Sequence, residues 1–578
     1  MDLVNSAIGV NTTMKMGLQS PEILSWLSQY NVNQLKSVLE IPSLRLETNE
    51  RQSLEGEHLI INGDLDLESN AQLTLNVDKS ILIKGDLILK SGAKILGGFT
   101  DVDIVIEGNV SSDGFYGFET KPKSVTVNGN YNVNSSEQIL NIGKLIISND
   151  FIVNSGANIK WSLDSFEVKG SVRVSTGNDQ SWLKIANDWY IDKDFELSQS
   201  GTVLSLMVAG TTKVSGHMLI SEQTKLTSNR NQSKGINLNV ATLFVMQNAE
   251  INVSGVSRSG TSDTGCYAGN ANSNSDCHYG YFKLANLAGT DGGASQESGG
   301  FVQITALEMT LNGAIKANGI NNYGNYIGGS GGSIHLNTAK LLGHGSLEAF
   351  SDHTYRSYIA GSGGRISIYS SDTSSFEGVL RTVDSDVTQK LAPAGTQFIA
   401  NDIGENGVLV IDNIHSNSSI FNGKSTPIRG AGTHQIDCVT NLGQNLWRID
   451  TDCSSNDTIH WVDSSEDEKR SLIGREVDLD INNDADEIVK IISNDKNSLV
   501  VETNQDLSSY TGATLQGIHR LKGLKILNSA HVDFGNNRVE VSDINDTEIT
   551  RDVIIKLGAA NSKLIEKLNN SGANIIWH

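Results

Sequence analysis

Two stretches of the chain, HLIINGDLDLESNA at residues 58–71 and SILIKGDLILKSGA at residues 80–93, share one pattern at an offset of 22 residues. Each begins with alternating apolar residues, continues with Gly followed by Asp, alternates again and ends in a polar corner before Ala. Alternation with a period of two is typical of strands that bury one face. Short strands at this spacing, with no helical pattern between them, predict the coils of a parallel β-helix.

The same pattern continues towards residue 210 with a similar step. Its later anchors are Gly108, Gly129, Asn149 and Gly170, at steps of 23, 21, 20 and 21 residues, and then, less regularly, Lys193 and Gly210. The apolar residues of successive coils are expected to stack along the axis, with the polar residues of the same strands facing water. Gly, Asn and Asp at the corners are expected to supply left-handed backbone conformations that turn the chain.

After about residue 238 the period lengthens to 32 residues. The segments ESGGFVQI at 297–304, GSGGSIHL at 329–336 and GSGGRISI at 361–368 align at two offsets of 32, and PAGTQFI at 393–399 is a fourth copy. A companion strand keeps the same step, because GAIKA at 313–317 matches GSLEA at 345–349. The additional residues of each layer predict loops along one edge, at residues 255–297, 319–328 and 350–360.

The sequence therefore predicts an all-β chain, a parallel β-helix with a short helical N-terminal cap and a small β domain near the C-terminus. Ser20 and Pro21 are typical of a helix start, which favours a helical cap or attachment segment over residues 1–55. The other predicted parts are a β-helix with coils of about 22 residues at 56–238, a β-helix with 32-residue layers and long loops at 239–430, a small β domain at 431–516, inserted or appended, and returning β-helix-like coils at 517–578.

The composition of the chain argues against several classes of protein. Glycine contributes 57 and proline 5 of 578 residues, without the period of collagen. Lys and Arg number 44 against 66 Asp and Glu, a formal net charge of −22 with no basic block, so nucleic acid is not an expected partner. No run of about 18 apolar residues occurs, and no membrane insertion is expected. The N-terminus lacks the pattern of a secretory signal.

The four cysteines form two local pairs within polar segments, Cys266 with Cys277 and Cys438 with Cys453. Two disulfides that each close a loop would suit an oxidising compartment. Four unpaired thiols are the alternative. Neither pair has the spacing of a zinc finger, so a zinc site is not expected.

The predicted loop edge is rich in tyrosine and is the first candidate for ligand binding. Aromatic faces stack on sugar rings, and hydroxyl, amide and carboxylate groups bind their polar rims. Alternatively, these tyrosines cover loop backbones or pack between layers. The candidate ligand-binding residues, beside His278, are Tyr267, Tyr279, Tyr281, Tyr323, Tyr326, His353, Tyr355, Arg356 and Tyr358.

A catalytic pair is a second candidate. Asp352 and Asp384 are 32 residues apart, so in register they would lie one layer apart, about 4.8 Å between backbones. That separation is close to the roughly 5 Å of the two carboxylates of retaining glycosidases. The alternative is that both are ordinary loop aspartates, since aspartate is common in every loop of this chain.

Calcium is the only cofactor for which the sequence offers a site. Asp478, Asp480, Asn482 and Asp484 place oxygen ligands at alternate positions, as in a calcium loop. Asn483 occupies the place of the usual glycine and Val489 that of the terminal glutamate, which favours a solvated β-turn as the alternative.

The segments GGSGGSI at 328–334, AGTQFI at 394–399 and GVLVIDN at 407–413 resemble those of glycine-rich β-solenoid surface proteins of bacteria. The segment from Leu472 to Gly517 resembles a module that follows this stretch in such proteins. The resemblance is clearest over about residues 240–420 and implies a β-solenoid located outside the cell. Phage tail fibres and tailspikes are the neighbouring possibility, because they are also β-helical and need no export signal.

These observations lead to three functional expectations. The first is a non-enzymatic adhesion or receptor-binding protein, extracellular, on a cell surface or on a virion tail, whose loops contact a cell-surface polysaccharide or a surface protein. The second is a polysaccharide depolymerase, a glycoside hydrolase or lyase of the tailspike type, and the third is a purely structural scaffold module. A homotrimer or membership of a larger assembly is compatible with each.

Overall fold

The computed structural model describes residues 38–114, 118, 120–177, 181–229, 235–256, 265–269, 278–292, 296–321, 328–351, 361–383, 393–413, 425–453, 460–465, 467, 470–482 and 487–578. The predicted fold class is confirmed, since nearly all the regular structure is β-strand arranged in long parallel sheets. The helices that lie wholly within these residues are one α-helix, Ser562–Ser571, and one 3-10 turn, Ser508–Tyr510. No helix in this part of the chain has the length and apolar character needed to cross a membrane.

The strands fall into three groups along the chain. Those of the coils with a period of about 22 are Val38–Ile41, Leu44–Leu46, Arg51–Ile61, Leu65–Leu67, Gln72–Ile83, Leu87–Leu89, Lys94–Leu96, Asp103–Ile106, Val110–Ser112, Ser124–Val127, Tyr131–Val133, Ser136–Ile147, Phe151–Val153, Ala157–Val168, Val172–Val174, Ser181–Ile185, Trp189–Ile191, Phe195–Leu197, Val203–Val208, Thr212–Ile220 and Lys225–Thr227. Those of the longer layers are Gly235–Val245, Glu250–Asn252, Gln296–Glu297, Phe301–Leu311, Ala314–Lys316, Ile320–Asn321, Ser333–Gly343, Ser346–Glu348, Arg365–Phe376, Val379–Arg381, Thr396–Ala400 and Val408–Asp412. The remaining strands are Thr426–Pro427, Thr433–Gln435, Cys438–Gly443, Leu446–Asp450, Glu476–Asp478, Ile488–Asn494, Ser498–Glu502, Thr514–Leu521, Gly523–Leu527, His531–Asp533, Arg538–Val541, Glu548–Ile549, Ile554–Leu557, Ala559–Ala560 and Asn574–Trp577.

The chain divides into two compact units. The first contains the residues up to Asn229 together with Ile236–Ile251 and Ala306–Gly313. The second contains Arg230–Gly235, Asn252–Thr305 and Ala314–His578.

In the first unit, the inward residues of successive coils pair in parallel register and form a continuous buried stack. Its members share one position of the coil and are all nearly inaccessible to solvent. They are Leu59, Ile81, Ile104, Val125, Leu145, Phe166 and Trp189. The rings of Phe166 and Trp189 lie parallel, with 5.3 Å between centroids. The sequence period of 20–23 residues is therefore the length of one coil.

The glycine that precedes Asp or Asn at each corner has a different role from the one expected. A second column of side chains runs along this corner, and each side-chain oxygen accepts a hydrogen bond from the backbone N–H of the next coil. These bonds join Asp64 to Asp86 (2.8 Å), Asp86 to Asn109 (2.7 Å), Asn109 to Asn130 (2.9 Å), Asn130 to Asp150 (3.1 Å) and Asp150 to Ser171 (2.8 Å). We call this column the Asp/Asn ladder.

The ladder explains why glycine occupies this position in most coils, although Asn149 stands there before Asp150. A Cβ atom at Gly85 would lie 2.2 Å from Oδ1 of Asp64, and one at Gly108 would lie 2.3 Å from Oδ1 of Asp86. Neither glycine has a left-handed backbone, so the expectation from sequence is wrong at this corner. Left-handed residues occupy another corner of the coil, at Asn70 (φ 59°) and Gly92 (φ 77°).

The second unit contains the 32-residue layers, and its strands confirm that period. Ser333 pairs with Arg365, and Ala314 pairs with Ser346, both at offsets of 32. The corner here is a column of glycines in direct contact. A Cβ atom at Gly332 would lie 1.8 Å from the carbonyl oxygen of Gly300, and one at Gly364 would lie 2.1 Å from that of Gly332.

The coil stack of the second unit continues past a long intervening segment. Leu409 pairs in parallel register with Leu524, and Thr426 pairs with Val532. Most of the intervening chain folds into a mainly antiparallel sheet with its own core, which includes Trp447, Ile449 and Val501. This sheet therefore lies in the sequence between two pairs of coil strands, and the small β domain expected over 431–516 stays a prediction.

Strand Thr514–Leu521 joins this inserted sheet to the coils that follow. It pairs antiparallel with Glu476–Asp478 and parallel with Arg538–Val541. The terminal helix Ser562–Ser571 begins at Asn561, whose side chain accepts a hydrogen bond from the N–H of Leu564 at 3.2 Å. Gly572 ends it with a left-handed backbone (φ 72°).

At the other end of the chain the structure differs from the expected helical cap. Residues 1–37 lie outside the described part of the chain. From Val38 onward the predicted cap segment is β-structure, and Leu39 pairs with Leu59 in parallel register. The β-helix therefore begins before residue 56, because alternating residues such as Leu39 and Ile41 continue the inward stack.

The Asp/Asn ladder predicts that Gly108→Ala lowers the free energy of unfolding by about 2 kcal/mol, because the new methyl group overlaps Asp86 and the carbonyl oxygen of Gly85. Urea denaturation followed by circular dichroism measures the change. Gly98→Ala is the matched control, since a Cβ atom there meets nothing within 4 Å. Equal stability of the two variants would contradict the explanation.

The ladder also predicts different results for two substitutions of Asp86. Asp86→Asn keeps a side-chain oxygen for the N–H of Asn109 and should retain nearly full stability. Asp86→Ala removes the acceptor and should cost about 1 kcal/mol or more, because a partly buried N–H loses its partner. Urea denaturation of both variants measures the two changes in the free energy of unfolding. If Asp86→Asn loses as much stability as Asp86→Ala, the charge of Asp86 matters and not the hydrogen bond.

Candidate functional site

Three of the predicted ligand-binding tyrosines lie in the interior of the second unit. Tyr267 is fully buried, Tyr279 is 6% exposed and Tyr281 is partly buried. The other predicted site residues of the loop edge lie outside the described part of the chain. These are Tyr323, Tyr326, His353, Tyr355, Arg356 and Tyr358, together with the predicted catalytic residues Asp352 and Asp384.

A buried arginine explains the position of Tyr267 and Tyr279. The guanidinium of Arg365 lies 5.3 Å from the ring centre of Tyr267 and donates hydrogen bonds to the carbonyl oxygen of Tyr279 (3.0 Å) and to Oγ1 of Thr396 (3.1 Å). The two tyrosine rings are 4.9 Å apart. Burial raises the pKa of the Tyr279 hydroxyl well above its usual range. These rings surround a cation in the interior and do not form an exposed edge.

A second buried arginine, Arg475, has a related arrangement. It lies 5.1 Å from the ring centre of Tyr281 and donates hydrogen bonds to the carbonyl oxygens of Gly280 (3.1 Å) and Arg429 (3.0 Å), and to that of Ser471. Burial lowers the pKa of Arg475 to about 10, so the group is still charged at neutral pH. Arg475 therefore fixes two segments that continue into an open cleft.

This cleft has a volume of about 620 Å³ and is the candidate functional site. Its walls are formed by residues 425, 427–434, 460–462 and 533–537, with His278, Arg470 and Leu472. The inserted sheet supplies some of these segments and the returning coils supply others, all within the second unit.

Three aromatic rings stand together on one wall, and we call them the ring cluster. The rings of His434 and His460 are 4.2 Å apart, and Trp461 lies 5.0 Å from His434 and 5.7 Å from His460. Nε1 of Trp461 donates to the carbonyl oxygen of Ala431 at 2.9 Å. Nε2 of His434 lies 3.0 Å from the same oxygen and therefore carries a hydrogen, because a carbonyl oxygen only accepts. His460 is the exposed member of the cluster.

The wall beside the ring cluster depends on glycines that admit a close backbone approach. Oδ1 of Asn537 accepts a hydrogen bond from the N–H of Gly432 at 2.8 Å. A Cβ atom at Gly430 would lie 2.2 Å from that oxygen, and one at Gly517 would lie 2.1 Å from it. Gly432 itself has a left-handed backbone (φ 73°). The backbone that accepts from Trp461 and His434 is thereby fixed.

Cationic groups outnumber anionic ones along the cleft. Arg429 donates from Nε to Nε2 of His278 at 2.5 Å, and Arg470 lies 3.8 Å from Asp467. Asp533 is the only carboxylate among the described lining residues, and its Oδ2 lies 3.8 Å from Nζ of Lys556. Burial, and next the charge of His460, lower the pKa of His434.

Sequence reasoning recognised His278 and the small β domain but not the cleft itself. Its residues are separated by 26 positions between His434 and His460, and by more than 150 between His278 and the ring cluster, so no repeat connects them. The one available signal was the concentration of Trp, His and Cys between residues 431 and 461.

The predicted disulfide between Cys438 and Cys453 is confirmed, with 6.3 Å between the Cα atoms. It joins the first strand of the inserted sheet to the residues that follow the second. Cys266 is also disulfide-bonded, and its predicted partner Cys277 lies outside the described residues. Among the residues described, Cys438, Asp450 and Cys453 form the one group spaced for a metal ion, but both sulfurs belong to the disulfide.

The predicted calcium loop has protein partners at its first positions. Asp478 is 1% exposed, and its Oδ2 lies 2.9 Å from the guanidinium of Arg538. Oδ1 of Asp480 accepts a hydrogen bond from the N–H of Asn482 at 3.1 Å, as in an Asx turn. Asp484 lies outside the described residues, and calcium binding stays a prediction.

Comparison of the chain with protein-family models, curated proteins and solved structures found no match.

Two buried histidines of the second unit predict acid sensitivity. Burial, and next the charges of Arg475 and Lys283, lower the pKa of His519 from 6.5 to about 3, and burial lowers that of His335 to about 4. Below pH 6.5 the unfolded chain binds protons that the folded chain does not, so stability is present at neutral pH and falls as pH decreases. We expect each histidine to account for about 2 kcal/mol of the loss between pH 7 and 5.

Urea denaturation at pH 7 and pH 5 measures this loss. His519→Phe should reduce the difference between the two pH values, whereas the same change at His344, whose side chain is 73% exposed, should not. A pH difference that is unchanged in His519→Phe would show that this histidine already binds a proton in the folded state.

Proposed function

We propose that this chain is a β-helical adhesion or receptor-binding protein that contacts surface carbohydrate through the cleft of its second unit. The observation that carries the proposal is the combination of the ring cluster, His434, His460 and Trp461, with arginine and amide groups in one open cleft of about 620 Å³. This volume is within the range of sites that take a small ligand, roughly 300–1,000 Å³.

The chemistry of the walls suits sugar rings. A sugar presents an apolar face, which stacks on aromatic rings, and a rim of hydroxyl groups, which need donors and acceptors. Within the ring cluster His460 offers the exposed ring and Trp461 is 8% exposed beside it. Asn536, Asn537, Arg429 and Arg470 also line the cleft. Because the wall backbone is fixed by Asn537 and Arg475, little ordering entropy would be lost on binding.

The disulfides support an extracellular, cell-surface or virion location, since such bonds persist in oxidising surroundings. In this proposal the parallel coils act as a stiff support, and the partner is a polysaccharide or a glycosylated surface protein. A homotrimer or a larger assembly would present several clefts at once and increase the avidity of binding.

Depolymerase activity is less well supported than binding. Hydrolysis of a glycosidic bond commonly needs two carboxyl groups across the bond. The described lining of the cleft supplies one, Asp533, which is held near Lys556. The sequence candidates Asp352 and Asp384 lie outside the described residues.

The proposal predicts that His460→Ala combined with Trp461→Phe weakens binding to surface glycan by about tenfold or more, because the double variant removes stacking area worth about 1.4 kcal/mol. A glycan array first identifies a bound sugar, and titration calorimetry then compares the variants. Trp447→Phe combined with His344→Ala is the matched control, since Trp447 is buried in the same inserted sheet but does not line the cleft.

Equal affinity of the cleft variant and the control would overturn the assignment of the site. Absence of binding to any glycan or to glycan-bearing cells would overturn the proposed function itself. Circular dichroism of each variant separates these outcomes from loss of the fold.

A further inference from the structure

The charge of the cleft has the opposite sign to that of the whole chain. The formal net charge of the protein is −22. The described lining of the cleft nevertheless contains two arginines, Arg429 and Arg470, against the single carboxylate of Asp533, although Arg470 also lies 3.8 Å from Asp467. The lining histidines are not counted as charges, since Nε2 of His278 accepts a hydrogen bond from Arg429. The carboxylate of Asp533 also accepts the N–H of Gly535 at 2.9 Å and lies near Lys556, so its charge is partly compensated.

Two further cations lie behind the cleft. Arg475 donates to the carbonyl oxygen of Arg429, and Arg365 donates to that of Tyr279, next to His278 in the chain. Within the described residues neither Arg365 nor Arg475 forms an ion pair with a carboxylate, and both are almost fully buried. Their charges are therefore weakly screened, and they make the adjoining end of the cleft electropositive.

The arginine on the wall is held in place before any ligand arrives. Nε of Arg429 is bonded to Nε2 of His278, and the backbone of Arg429 is bonded to Arg475. A planar guanidinium with a fixed position is suited to the carboxylate or sulfate group of a sugar, because two parallel hydrogen bonds form without further ordering of the side chain.

We propose that the cleft selects anionic glycans, polymers whose sugars carry carboxylate or sulfate groups, over neutral ones. This inference rests on the proposed carbohydrate-binding function and assigns the class of its ligand. Arg429 and Arg470 contact the anionic group, while the ring cluster contacts the face of the sugar ring. Net repulsion from the acidic surface elsewhere would disfavour anionic ligands away from the cleft.

The experiment compares four defined probes by titration calorimetry with the full chain. Oligogalacturonate is compared with its fully methyl-esterified form, and a heparin oligosaccharide with its chemically desulfated form. We expect at least one anionic probe to bind tenfold or more tightly than its modified partner, and the two pairs distinguish carboxylate from sulfate recognition. Raising the salt concentration should weaken the binding of the anionic probe much more than that of its partner.

Two variants that each remove one arginine charge test whether the anionic group binds at Arg470. Arg470→Gln should weaken binding of the preferred anionic probe about tenfold and leave the affinity for its modified partner nearly unchanged. Arg448→Gln is the control, because Arg448 lies in the inserted sheet, is paired with Asp450 and does not line the cleft. An equal loss in both variants would overturn the assignment of the anion site.

The outcomes also separate this inference from the proposed function. Equal affinity for both members of each pair overturns anion selection and leaves carbohydrate binding in place. Poly-glutamate, an anionic polymer without sugar rings, is titrated as a further control. If it binds as tightly as the anionic glycans, the assignment to carbohydrate is overturned, because charge alone would then suffice. If none of the four probes binds, while the array identifies another, neutral glycan, anion selection is overturned.

Discussion

The close approach of successive coils at one corner is the constraint on which the β-helix depends. In the first unit that corner carries the Asp/Asn ladder, in which a side-chain oxygen joins each coil to the backbone of the next. The oxygen occupies the space where the following glycine would have its Cβ atom. In the second unit the glycines of the column Gly300, Gly332 and Gly364 meet without any side chain between them. Coils of both periods therefore approach closely at one corner. In the first unit side-chain oxygens fill the space between the coils, and in the second unit glycines meet directly.

The same condition governs the cleft, although the cleft belongs to no repeat. Gly430 and Gly517 admit Asn537 between two backbone segments, as the corner glycines admit Asp64 or Asp86. The inserted sheet is accommodated because the coils on either side pair across it, Leu409 with Leu524 and Thr426 with Val532. A regular stack thus supports an irregular segment, and the residues proposed for recognition lie where the regularity is interrupted.

The sequence was sufficient to predict the repeated coils, but it was insufficient for the contacts that do not repeat. Periods of about 22 and 32 residues and the inward stack through Leu59 and Ile81 followed from alternation and spacing. The role of the corner glycines did not follow, because a left-handed turn and a close contact give the same Gly-Asp signature. Tyr267 and Tyr281 were predicted on a loop edge, with packing between layers as the alternative. The choice could not be made from the sequence, because no local pattern reveals that Arg365 and Arg475 lie in the interior beside them.

The two buried arginines connect the interior of the layers with the chemistry of the cleft. Burying a guanidinium is costly unless its hydrogens find acceptors, and here backbone carbonyl oxygens supply several of them. A carbonyl oxygen satisfies the donor without cancelling the charge, whereas a carboxylate would do both. Arg365 and Arg475 therefore fix the segments that bear His278 and Arg429 and, at the same time, leave a positive field behind them. Such an arrangement costs stability that an apolar core would not, and the proposed binding of an anionic ligand would give it a use.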